Sequence, residues 1–372
     1  MHKGVVYMHK KCKNICRKKA CSNMRTFDYS FLENKNIPGD LINVLVGIYS
    51  MRIDNENRKS SFPGVFTELE KIAIIQSVKG SNAIEGILTT DERIRAIVNN
   101  SSAPLNHNEE EIAGYRDVLN VIHNNYGELN FSEADILSFH EMLLKNAKPD
   151  TAGKYKEVDN VIMEVRSDGS RNVRFKPVPA KETPKAMEQL VLAYMEARDN
   201  PNINQLLLIP CVILDFLCIH PFSDGNERMS RLLSLLLLYK AGFDAGKYMS
   251  FEEQINKGKG FYYEALGKSS IDWEKNKSDY FPFVENFLVT LLSCYKELDK
   301  RFATVNSKKI NKTTRIEATV LNSLLPISKK EIGELLPDVS ITTIETVLAR
   351  MLKEDKIIKV GEGTKTKYIR KR

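Results

Sequence analysis

No apolar run in this 372-residue chain is long enough to cross a bilayer. The longest, Leu232 to Leu238, is half a span at most. The first 23 residues have neither an amphipathic period nor the apolar stretch of a secretory signal. The expectation is therefore a cytoplasmic protein with no membrane partner. Cysteine is sparse, and Cys12, Cys16 and Cys21 fit no standard zinc spacing even with His9 nearby. Cys211, Cys218 and Cys294 lie in apolar helical surroundings and read as small core residues of a reduced compartment. No internal repeat is visible. Acidic residues are absent from residues 1–23, which hold seven Lys or Arg. Residues 308–372 hold fifteen Lys or Arg against eight acids, so with a total of +7 the middle of the chain is net negative. The basic pI thus describes two ends and not the body.

What is present is ordinary globular texture, with 42% apolar and 28% charged residues over a length that suggests about two or three domains. Residues 1–23 read as a basic extension without structure, and Met24 as an alternative start. Helical spacing of apolar residues predicts helices from Leu41 (Asp40 as cap) to Tyr49, Phe66 to Ser77, Asp91 to Ile97, Glu109 to His123 and Ser132 to Leu144. Strand-like Val158–Glu164 and Asn172–Phe175 flank Ser167-Asp168-Gly169-Ser170, a hairpin signal. Thr183 is expected to cap a helix to Ala197. Residues 204–219 and Glu227–Lys240 are apolar nearly all round, which places them at the centre of a helical domain. Phe251–Leu266 and Tyr280–Phe302 complete it.

The stretch His220-Pro-Phe-Ser-Asp-Gly-Asn-Glu-Arg-Met-Ser-Arg231 joins the two central helices. Pro221 and Gly225 make a tight turn, and a helix starts near Asn226. Its free N–H groups and positive dipole end form an anion site. Arg228 and Arg231, three apart, project near that end, and two guanidiniums there suit a polyphosphate. Asp224 supplies a hard oxygen for Mg2+, which would bridge phosphates. His220 can take a proton from an incoming hydroxyl near neutral pH. Phe222 anchors the loop from inside. The bland alternative is a polar interhelical turn with a buried histidine, but few such turns gather this set within twelve residues.

This stretch resembles the signature of the Fic family, His-x-Phe-x-Asp/Glu-Gly-Asn-Gly-Arg-x-x-Arg, and the resemblance runs from about Met24 to Phe302. It implies a mainly α fold: an all-helical core with a β-hairpin flap. It also implies a protein adenylyltransferase: His220 would deprotonate a Ser, Thr or Tyr hydroxyl of a protein target, the chain itself included, for attack on the α-phosphate of ATP. By the same resemblance Asp224 would hold Mg2+. Phe222, Gly225, Asn226, Glu227, Arg228 and Arg231 would form the ATP site, with Tyr262 and Tyr263 beside the adenine. The hairpin over 161–176, with Val173, Arg174, Phe175 and Lys176, would dock the target by strand addition. One position departs from the family: Glu227 stands where Gly is usual. A carboxylate there should repel phosphate, and a positive φ would be strained.

Ser81-Asn-Ala-Ile-Glu85-Gly86 resembles the family's inhibitory motif, Ser/Thr-x-x-x-Glu-Gly/Asn. Ser81 and Glu85 share a helix face. The resemblance implies that Glu85 reaches Arg231 and takes the partner meant for the γ-phosphate.

The expected organisation is a basic extension (1–23), an N-terminal helical region with the inhibitory helix (24–130), a catalytic core (131–302), a linker (303–315) and a winged helix (316–372). The last is read from Ile316–Leu325, Ser328-capped Lys329–Leu336, Ser340-capped Ile341–Glu354 and a hairpin of Ile357–Val360 with Lys367–Arg370. DNA is a possible partner of that module, although Thr342, Thr343, Glu345, Thr346 and Arg350 are poor base readers; Lys365 and Lys367 could meet phosphate. Alternatives are a DNA-binding transcriptional regulator with a nucleotide-sensing core, or transfer of another nucleotide or phosphate-containing group. A homo-oligomer is compatible with the sequence, which fixes none.

Overall fold

The computed structural model describes residues 25–34, 36–165, 171–306, 312–321, 323, 326–336, 339–363 and 366–371. The basic extension with its cysteines, Met24, the hairpin turn 167–170 and Lys365 lie outside them. No helix among the described residues is long and apolar enough to cross a membrane.

Two helices form the centre. α7 (Gln205–Ile219) buries Leu206 through Ile219 without a break, and α8 (Asn226–Lys240) buries nearly as much. Around them pack α1 (Gly39–Ser61), α2 (Pro63–Ile84), α3 (Asp91–Val98), α4 (His107–Asn125), α5 (Glu133–Leu144), α6 (Thr183–Arg198), α9 (Phe251–Lys257), α10 (Lys259–Ser269) and α11 (Phe281–Asn306). Strands β1 (Ile162–Val165) and β2 (Arg171–Phe175) make an antiparallel hairpin with Ile162 opposite Phe175 and an irregularity after Ile162. The molecule is mainly helical with small two-stranded sheets, the fold class expected.

Local chemistry explains the boundaries. Thr90, Asn106 and Ser132 each accept the N3 backbone N–H and start α3, α4 and α5. Asp40 does not cap α1, which opens on Pro38 and Gly39 and runs to Ser61, well past Tyr49. Thr183 is the first residue of α6 and not its cap; its hydroxyl donates instead to the Pro179 carbonyl, 3.0 Å. The single helix expected over Phe251–Leu266 is two, broken at Gly258. Gly242, at φ 82°, ends α8 as its position suggests.

After α11 the chain builds α12 (Lys312–Leu321), α13 (Lys329–Leu335), α14 (Ile341–Lys353) and the hairpin β3 (Ile357–Val360)–β4 (Lys367–Arg370). Ser328 and Glu331 cap α13 reciprocally. Ile316, Val320, Ile332, Ile344, Leu348, Met351 and Tyr368 form a core separate from the large one. α11 runs on to Asn306, so the helical part extends into the expected linker at both of its ends. α13 also packs on α2.

Two close approaches set the spacing of helices that matter below. A Cβ on Gly114 of α4 would lie 2.0 Å from the Leu143 carbonyl of α5. A Cβ on Gly80 of α2 would meet the Glu253 backbone at 3.1 Å. The first contact has no slack, since backbone cannot swing aside as a side chain can. Gly114→Ala is expected to cost about 3 kcal/mol, read as a lower urea midpoint with an unchanged m-value.

Candidate active site

The loop 220–225 owes its shape to groups from three other segments. His220 ends α7 in the left-handed region, φ 51° and ψ 61°, which costs a non-glycine residue about 1 kcal/mol. Its surroundings impose that conformation. The Lys156 backbone N–H donates to the Pro221 carbonyl, 2.9 Å, and its ammonium donates to the Ile219 carbonyl, 3.2 Å, and to Asn160 Oδ1, 3.0 Å. The Asn160 amide donates to the Phe222 carbonyl, 3.3 Å. Phe222 is fully buried and lies flat on His140, centroids 3.7 Å apart. His140 Nδ1 accepts the Gly153 N–H, 3.1 Å, so the proton sits on Nε2, which donates to the Asp224 carbonyl, 3.1 Å. Asn226 closes the loop on itself: Oδ1 accepts the Phe222 N–H, 2.9 Å, and Nδ2 donates to the Phe222 carbonyl, 2.8 Å. Gly225 takes φ 78° between the loop and α8, tight against Leu143, Leu144 and His140.

Burial, with the Lys156 charge beside it, pushes His220 down to about 4; the Leu217 carbonyl and Asp224 pull the other way without cancelling this. The imidazole is therefore neutral at pH 7 and able to accept a proton. Burial would raise the Asp224 carboxyl, but the Lys148 ammonium and the Arg228 guanidinium beside it outweigh that and hold it below the usual range. Lys148 donates to Oδ2, the Gly225 N–H to Oδ1 at 2.6 Å, and Arg228 stands 3.6 Å away.

Both arginines of α8 are buried, Arg228 2% and Arg231 1% exposed. Buried cations need counter-charge. Arg231 finds it on α2: Nε donates to Ser81 Oγ, 2.8 Å, and one terminal nitrogen donates to the Ser81 carbonyl, 3.1 Å, and to Glu85 Oε1, 2.9 Å. Tyr115 hydrogen-bonds Ser81 and donates to Glu252, 2.8 Å, carrying the network into the core. α2 ends at Ile84, Glu85 is its C-cap, and Gly86 at φ 77° turns the chain away. Lys259 of α10 donates to the Ile84 carbonyl, a free C-terminal acceptor of that helix. Arg228 pairs with Glu111 of α4. Arg228 Nε and Arg231 Nη1 are buried with no hydrogen-bond partner among the described residues. Unpaired guanidinium nitrogens beside the N-terminus of α8 are suited to phosphate oxygens.

The donor set also bears on a metal. Among the described residues no three His, Cys, Asp or Glu side chains are grouped for one. Asp224 supplies a single ionised carboxylate, which fits Mg2+ completing its shell with phosphate and water. Glu227 lies in the first turn of α8 and has no positive φ, so the strain considered for a non-glycine residue there does not arise. Its carboxylate adds to the elevation of the Tyr262 and Tyr263 hydroxyls, which burial dominates. Tyr262 is buried beside Arg231 and meets Tyr263 edge-on, centroids 5.5 Å apart. In the hairpin, Phe175 packs edge-on against Trp273, Val173 is half exposed, Arg174 donates to the Tyr263 carbonyl, and Lys176 is exposed at the end of β2.

Residues 130–238 match the sequence profile of the Fic/DOC family. This stretch is a Fic domain. The chain is 28% identical over 206 residues to a protein of Nematostella vectensis named protein adenylyltransferase Fic, covering 50% of this chain and 44% of that protein. It thus spans less than half the length of that relative. A Fic family protein from Desulfovibrio desulfuricans G20 superposes with TM-score 0.59 at 20% identity, covering 91% of this chain and 97% of that one. A Fic domain containing signaling protein from Bacteroides thetaiotaomicron gives 0.55 at 20% identity, over 68% and 94%. The two likenesses share the Fic fold.

Within the Fic domain and its N-terminal helices, the structure gathers His220, Asp224, Asn226, Arg228, Arg231, Ser81 and Glu85 into one locus. Sequence reading missed Glu111, Lys148, His140, Lys156 and Tyr115, whose spacing carries no local signal: Glu111 ends a Glu-Glu-Glu run that reads as a solvated face. His220 is expected to titrate near 4 by NMR of histidine-labelled protein. His140 at about 4 and His123 at about 3, depressed by burial, behave alike. The unfolded chain takes these protons near pH 6.5 while the fold refuses them. Stability should therefore fall as pH drops from 6.5 towards 4, by up to about 1.4 kcal/mol per unit per histidine, measurable as urea midpoints at pH 7 and pH 5.

Proposed function

We propose that this chain is a protein adenylyltransferase restrained by Glu85. The observation that carries the reading is the buried guanidinium of Arg231, on the helix that follows the loop 220–225 and already held by Ser81 and Glu85. The neutral His220 takes the proton of a target Ser, Thr or Tyr hydroxyl as its oxygen bonds to the α-phosphorus of ATP. The bond from that phosphorus to the bridging oxygen breaks, and pyrophosphate leaves. Gly225, Asn226 and the N–H groups of the α8 start shape the phosphate seat, with Arg228 and Arg231 as its charges. Asp224 would hold Mg2+, which neutralises charge building on the phosphates when bound. With Glu85 in place the γ-phosphate loses its partner and the α-phosphorus is misplaced for in-line attack. The end of β2 and the residue after it offer Val173, Arg174, Phe175 and Lys176 to an added target strand. Tyr262 and Tyr263 are assigned to the adenine side.

The organisation proposed with this keeps a helical region with the inhibitory helix (24–130), the catalytic core (131–302), a linker (303–315) whose two ends are taken up by α11 and α12, and a winged helix (316–372) that selects partner or place. DNA binding by that module has less support. Arg350 pairs with Glu317 and Glu345 with Lys329, so two of the side chains nominated for bases are engaged within the module.

Incubation with α-labelled ATP and Mg2+ tests the reading. Glu85→Gly should raise self-labelling about tenfold or more, and His220→Ala should lower it about 10²–10⁴-fold. Equal labelling of all three proteins would sink the proposal, and label arriving from UTP or GTP but not ATP would replace the donor.

A further inference from the structure

The loop's two ligand-holding charges are already tied to each other's opposites. Glu111 Oε2 pairs with Arg228 and its Oε1 lies 3.8 Å from Lys148 Nζ. Lys148 donates to Asp224 Oδ2, and Asp224 Oδ1 stands 3.6 Å from Arg228. Glu111, Arg228, Asp224 and Lys148 thus close a ring of alternating charge. Its edges differ. Glu111 and Arg228 are 6% and 2% exposed at their side chains, whereas Lys148 and Asp224 are both 38% exposed. Lys148 follows α5, whose spacing from α4 is set by Gly114, so the segment after α5 brings the ammonium towards Glu111 of α4.

We propose that Lys148 is a positioning residue that occupies the cation seat on Asp224, so that a divalent cation enters with its nucleotide by displacing this ammonium. The inference rests on the adenylyltransferase reading of the site. A lysine ammonium is a compact point charge on a flexible stem, and at a part-exposed site its bond to one carboxylate is weak enough to exchange. The buried Glu111–Arg228 edge stays closed during this exchange and keeps the guanidinium oriented. Held this way the Asp224 carboxylate is aimed and ionised before the cation arrives, at the cost of a higher cation requirement.

The test is ADP binding by calorimetry to the full chain across a Mn2+ series, since ADP lacks the γ-phosphate that Glu85 would oppose. Lys148→Met should lower the Mn2+ concentration for half-maximal ADP affinity about fivefold, with affinity at saturating Mn2+ within about twofold of wild type. Lys148→Arg, which keeps a cation, should stay close to wild type. An unchanged Mn2+ dependence in Lys148→Met overturns the exchange. A tenfold loss of ADP affinity at saturating Mn2+ overturns it too, and makes Lys148 a phosphate ligand. Wild-type protein that binds no ADP at any Mn2+ concentration overturns the nucleotide reading itself, a result distinct from either.

Discussion

A guanidinium removed from water must be matched by fixed charge, and the burial of Arg231 is the constraint around which this site is arranged. The start of α8 puts the side chain inside, where Ser81 and Glu85 are the groups that meet it. That match requires α2 to end at the right height. Gly80 lets it settle against the Glu253 backbone, Gly86 turns the chain off after Glu85, and Lys259 takes a free carbonyl at the helix end. Tyr115 and Glu252 satisfy the hydroxyl behind it. In the proposed reaction a γ-phosphate and the Glu85 carboxylate would be rivals for this one cation.

The same logic recurs on α7, about one turn before the loop. Asp215, buried within α7, accepts from Tyr29 at 2.8 Å, Trp273 at 2.6 Å and Tyr280 at 2.9 Å, with Arg25 at 3.4 Å. Burial raises its carboxyl while these partners oppose the shift. The segment entering the fold at Arg25 is thereby stitched to α7 and to the segment between α10 and α11. Removing Arg25 would leave the buried Asp215 without its counter-charge, which typically costs several kcal/mol.

The sequence carried the positions of most core helices and nearly all of the loop 220–231, because both are local. Apolar spacing marks helices wherever one face is buried, and Ser132 or Ser328 mark starts by side-chain chemistry. Local signals failed where packing overrode them. Asp40 had the right chemistry for a cap but the chain entered α1 at Pro38, and Gly258 broke a helix whose apolar period continued through it. The partners of the loop were illegible for a different reason. His140, Lys148, Lys156 and Glu111 reach it from distant segments, and nothing at their own positions distinguishes them from a core histidine or surface charges. Glu227 is the reverse case: its departure from the family was plain, but that it needs no positive φ was a fact of the helix start.

His220 is fixed in a left-handed turn at the foot of a helix buried on every side, with its ring neutral throughout the physiological range. Protonation of the ring is then not left as a point of control. In the proposed reaction the base is always on duty, and only the seating of the donor varies. The idle rate of the enzyme is then a direct readout of how often Glu85 lets go of Arg231, so turnover without any stimulus reports a conformational equilibrium inside the fold.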